Sequence, residues 1–99
     1  MADFRVQAQD LAAKASELRS LKDNLQAKCG EYYDKGGALA SSFEGDTASM
    51  FQKEVTDHVN KMTEFIQLVE RYCETMEQAA QRYAQADSDS ADIVRAKNY

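Results

Sequence analysis

Ser42-Phe43-Glu44-Gly45-Asp46 separates two long apolar-periodic stretches, and the reading of these five residues decides the fold. Glycine readily adopts the left-handed backbone that ends a helix, and an aspartate carboxylate accepts the backbone N–H bonds that begin one. Gly45 before Asp46 therefore predicts a turn between two antiparallel helices. The expected boundaries are a first helix over about 4–41, a turn over about 42–46 and a second helix over about 47–86. The 99 residues contain no proline, so nothing forbids helices of that length.

In the first stretch Asp3 is placed to cap a helix, and apolar residues then recur every seven: Phe4, Leu11, Leu18, Leu25, Tyr32 and Leu39. A second row runs Ala8, Ala15, Lys22, Cys29, Gly36 and Phe43, with Leu21 expected to fill the seam beside Lys22. Lys14, Glu17, Lys28, Glu31 and Lys35 fall on the opposite, solvated face. Gly36-Gly37 is the weak place, since each glycine costs about 1 kcal/mol in a helix interior relative to alanine. The pair marks either a bend or a close approach of backbone to another helix.

The second stretch carries three apolar rows. One is Ala48, Val55, Met62, Val69, Met76 and Tyr83; a companion row is Phe51, His58, Phe65, Tyr72, Ala79 and Ala86. The third is Val59, Ile66, Cys73 and Ala80. Two rows suffice for a seam with one partner, so this helix offers apolar surface beyond its own hairpin. Leaving it wet forgoes roughly 1.5–3 kcal/mol for each large side chain. The expected fold is all-α, an antiparallel two-helix hairpin (1–87) that dimerises into a four-helix bundle. The expected interface comprises Phe51, Val55, Val59, Met62 and Phe65, continued by Ile66, Val69, Tyr72, Cys73 and Met76.

Past Ala86, Asp87-Ser88-Asp89-Ser90 consists of residues that compete with the helix for backbone hydrogen bonds, so the second helix is expected to stop there. Residues 88–99 are expected to form a flexible tail.

With 43% hydrophobic residues the chain has material for one domain. A formal charge of -5, with scattered lysines and arginines, would repel phosphate backbones, which excludes nucleic acid as an expected partner. Met1-Ala2-Asp3-Phe4-Arg5 lacks the basic start and apolar run of a secretory signal, and no segment is apolar enough for stable membrane insertion. Cys29 and Cys73 match no zinc or redox spacing. About the turn, Cys29 falls level with Lys61, leaving Cys73 roughly 18 Å away along the helix. His58 sits among apolar neighbours without a second histidine, so it reads as a packing residue. No catalytic constellation, metal site or cofactor loop is expected, and an enzyme is the least favoured class.

The aromatic-x-glycine turn Phe43-Glu44-Gly45 between two heptad-patterned helices resembles the WXG family of type VII (ESX) secretion substrates, with Phe43 in the tryptophan's place. The pattern of a tyrosine, three residues and an acid near the end of the second helix is similar to the secretion signal of those substrates, and Tyr83 and Asp87 occupy its two positions. The resemblance implies a protein made and folded in the cytoplasm of a Gram-positive bacterium, then exported without a cleaved signal peptide. It implies a homodimer, or a heterodimer with a related hairpin, read by the secretion ATPase at a composite surface. There Phe43 and Gly45 of one protomer would neighbour Tyr83 and Asp87 of the other. Two other roles suit the same fold: a helical partner that escorts a larger effector toxin, and a cytosolic structural coiled coil.

Overall fold

The structure, a computed structural model, describes residues 3–97. Its elements are α1 (Phe4–Ala40) and α2 (Asp46–Lys97), with no strand among the described residues. Asp3 begins α1 as its sequence position requires: its Oδ1 accepts the Arg5 N–H at 3.0 Å and its carbonyl accepts the Gln7 N–H at 3.0 Å.

α1 stops at Ala40, within one residue of its expected end near 41, but Gly45 is not the residue that ends it. Two serines close it: Ser41 Oγ donates to the Ala38 carbonyl at 2.7 Å and Ser42 Oγ to the Leu39 carbonyl at 2.6 Å. The N–H groups of Ser42 and Phe43 reach back to the Leu39 and Ala40 carbonyls in the same turn. Carbonyls left over at a helix end are thereby satisfied without a left-handed residue. Gly45, at φ 62°, instead sets the entry into α2, where Asp46 places an acid in the first turn and complements the helix dipole.

α2 also outlasts its expected end. It continues past Ala86 through the Asp-Ser run to Lys97. No glycine or proline stops it, and Gln85 Nε2 donates to Asp89 Oδ1 at 2.9 Å, one turn on, so side-chain bonding that could break the helix supports it here.

Packing divides the chain into two units. In the unit formed by residues 3–19 with 71–97, Ala8, Ala15, Cys73 and Ala80 are buried, and Arg19 Nη2 meets Glu77 Oε1 at 2.8 Å. Phe4 meets Tyr83 while Arg19 meets Glu77, so the two segments run antiparallel. In the unit formed by residues 20–70, Cys29, Gly36, Ala40, Val55 and Ile66 are buried. Lys22 pairs with Glu70, Tyr32 with His58 and Gly36 with Val55, again antiparallel. The chain is thus an all-α helical hairpin.

Within the second unit, Lys22 holds the seam position itself. Its side chain is only 14% exposed and its Nζ lies 2.7 Å from Asp23 and 3.2 Å from Glu70. Leu21, expected in the seam, is 63% exposed, because one residue turns the side chain about 100° away from the row. The apolar lysine stem fills the seam and the ammonium reaches its edge.

Candidate functional site

The turn motif belongs to the 20–70 unit. Phe43 folds its ring onto Phe51, with centroids 5.5 Å apart at 75°, an edge-to-face arrangement that suits the charge distribution of aromatic rings. Glu44 is exposed, and a Cβ on Gly45 would meet open space, so its requirement for glycine comes from φ alone.

Tyr83 and Asp87 belong to the 3–19 and 71–97 unit. Because α2 is unbroken, they stand one turn apart on one face. The Tyr83 ring lies 6.0 Å from that of Phe4, and with Ala79, Arg82 and Ala86 the two rings line a shallow pocket of about 350 Å³. Asp87 is half-buried.

The expected interface residues separate into three sets. Val55 (2% exposed), Ile66 and Cys73 (0%) are buried in the hairpin's own seam and are withdrawn from the list of side chains open to a partner. The row of Val59, Ile66, Cys73 and Ala80, read from sequence as surplus, is the one that turns inward. A straight helix drifts about 20° per heptad, so a seven-residue count alone does not fix which row faces α1. Phe51, Val59, Met62, Val69 and Met76 are half-buried. Phe65 (55%) and Tyr72 (59%) stay in water.

His58 was expected to be a packing residue; it is exposed, and its Nδ1 shares a 2.9 Å hydrogen bond with the Tyr32 hydroxyl. Between these residues, Leu25, Lys28, Cys29, Lys61 and Met62 line a notch of about 530 Å³ with almost wholly apolar walls. Sequence reasoning missed it, although Tyr32 and His58 both stood in rows already marked. Cys29 and Cys73 are free thiols. Among the described residues no group of three or more His, Cys, Asp or Glu could hold a metal ion, and no helix is long and apolar enough to cross a membrane.

The features that the helices carry are therefore a turn wedged by an aromatic, a tyrosine-acid pair on α2, and apolar side chains left outside the seam. The WXG100 family, described as proteins of 100 residues with WXG, has a model that matches residues 3–88. The chain belongs to the WXG100 family. No curated protein and no solved structure matches it. The WXG100 match takes in both helices, Phe43-Glu44-Gly45 and the Tyr83/Asp87 pair, while α2 continues beyond it to Lys97. WXG100 membership makes this a small helical protein of the type VII secretion kind.

Proposed function

We propose that this WXG100 protein is exported by a type VII (ESX) secretion system and acts without catalysis, by binding as a dimer, a homodimer in the first instance. The observation that carries the binding reading is the exposed pair Phe65 and Tyr72, which the hairpin leaves uncovered after closing its own seam. Exposed apolar stripes of this kind mark protein interfaces. The export reading rests on family membership together with Tyr83 and Asp87 presented one turn apart on continuous helix.

Synthesis and folding take place in the cytoplasm of a Gram-positive cell, and the folded dimer is what leaves. Phe43 and Gly45 of one protomer beside the partner's Tyr83 and Asp87 form the surface that the secretion ATPase reads. Culture supernatants from cells with and without that ATPase, combined with the native mass of the secreted species, test this directly. Protein in the supernatant of ATPase-deficient cells removes the export route. Tyr83→Ala and Asp87→Ala should each abolish export while leaving helicity and native mass unchanged. Loss of the dimer in those variants would assign the pair to assembly instead of to recognition. A larger second chain that co-purifies would favour the escort role over the free homodimer.

A further inference from the structure

The notch beside the Tyr32–His58 hydrogen bond is complete within the 20–70 unit and has two unlike ends. Tyr32 stands opposite His58 at one end; along the antiparallel helices Cys29 and Met62 follow, and Leu25 closes the other. The Leu25 end is apolar. At the Tyr32–His58 end the hydrogen bond leaves one donor over in either tautomer of the imidazole: when Nδ1 accepts the phenol proton the ring keeps Nε2–H, and when Nδ1 donates the phenol keeps its O–H. Lys28 and Lys61 also line the notch, and both are exposed. Lys28 pairs with Glu31 at 3.2 Å on the open surface, the kind of ion pair that water and salt loosen readily. No carboxylate of the described residues lines the notch, although the whole chain carries a formal charge of -5.

We propose that this notch binds a free medium-chain aliphatic carboxylate, its head group at Tyr32, His58 and the two lysines and its tail along Cys29 and Met62 toward Leu25. Charge selects the head group: a carboxylate accepts from the ammonium groups and from the spare donor of the tyrosine-histidine pair at once, whereas an alcohol leaves both cations unmatched and an ammonium opposes them. Distance selects the tail. Leu25 and Tyr32 are seven residues apart on α1, about 10 Å of helix. An extended chain advances about 1.2 Å per bond, so roughly eight to ten carbons span the notch. Each methylene that leaves water against these walls should tighten binding about fourfold. Asp57 and Glu64, exposed to either side of Lys61 along α2, confine the positive charge to the notch, so that an extended anionic surface such as a bilayer is repelled where a single head group is not. The site uses neither Phe65 nor Tyr72, so it stands or falls apart from the dimer of the proposed function.

The test is isothermal titration calorimetry of the full chain with hexanoate, octanoate and decanoate, each below the concentration at which it forms micelles. One carboxylate per chain is expected, with affinity rising about fourfold per methylene up to decanoate. Decanol and decyltrimethylammonium should bind about tenfold more weakly or worse. Lys61→Met keeps an apolar stem without the charge and should weaken decanoate about tenfold, while Leu25→Trp fills the apolar end and should shift the preference to shorter chains. Both replaced side chains lie outside the fully buried seam, and circular dichroism of the variants should match wild type. Proton–nitrogen correlation spectra should place the decanoate-induced shifts at residues 25–32 and 58–62. Decanol as tight as decanoate, or decanoate binding that both substitutions leave unchanged, overturns the site. Phosphatidylglycerol vesicles that bind through Lys61 while free decanoate does not would overturn it in favour of a membrane surface. A chain that sediments as a monomer yet takes up decanoate in this way supports the site and removes the dimer.

Discussion

At Gly36 the backbone of α1 meets the side chain of α2. A Cβ built there would lie 2.8 Å and 2.9 Å from the two methyls of Val55, which is itself 2% exposed. Gly36→Ala should therefore destabilise the protein by about 1–3 kcal/mol through overpacking, despite alanine's higher helix propensity. Gly30 is the counter-case: it is exposed, helical, and nothing lies within 4 Å of its would-be Cβ. Gly30→Ala should stabilise by about 0.5–1 kcal/mol. Thermal melts of the two single variants check both signs, and a rise in midpoint for Gly36→Ala would refute the close approach. The sequence marked Gly36-Gly37 as a special place and left two readings open. Packing favours close approach and assigns it to Gly36, since Gly37 would meet only Gln52 Oε1 at an ordinary 3.7 Å. Lys22 was misjudged for a related reason. A charged residue in an apolar row looked like a gap to be filled by Leu21, whereas a lysine stem is itself apolar enough to fill it.

At the scale of the elements, both helices were legible because heptad rows sustained over many turns leave little ambiguity of type. What closes α1 and where α2 stops were not. The end of α1 depends on two serine hydroxyls turning back to carbonyls, and the length of α2 depends on whether Asp-Ser residues bond to solvent and neighbours or to their own backbone. Ser90→Pro separates helix from tail in the latter case. Residues 88–94 are exposed, so the substitution should cut far-UV ellipticity while leaving the cooperative melt nearly where it was. Unchanged ellipticity would mean that the segment is not helical in solution. Inside the 20–70 unit, the ion pair across the seam has its own pH signature. Hydrogen bonds to Asp23 and then to Glu70 hold the Lys22 ammonium above the ordinary lysine value of 10.5. A raised folded value means that the stabilisation is complete below pH 10.5 and is lost as pH climbs through the folded value. Melting midpoints of wild type and Lys22→Met should thus differ consistently from neutral pH upward and converge only in strong alkali.

For the whole molecule, the question is which apolar row holds the hairpin together and which is left for a partner, and two adjacent residues answer it. Ile66 is buried in the seam, while Phe65, one position and about 100° away, is 55% exposed. Counting apolar residues revealed that α2 has more rows than one partner needs. It could not assign the rows, because that requires the phase of α2 against α1. Ile66→Asp puts an unpaired carboxylate into the seam and should unfold the protein, with helical ellipticity lost in circular dichroism. Phe65→Asp puts the same charge where water already reaches in the single chain, so each hairpin should keep its helicity, while a dimer that covers this side chain should weaken. Circular dichroism and sedimentation velocity on the two variants, side by side, read both effects. Equal loss of helicity in both would mean that the hairpin cannot stand without its partner, and an intact dimer of Phe65→Asp would move the interface to another face of α2.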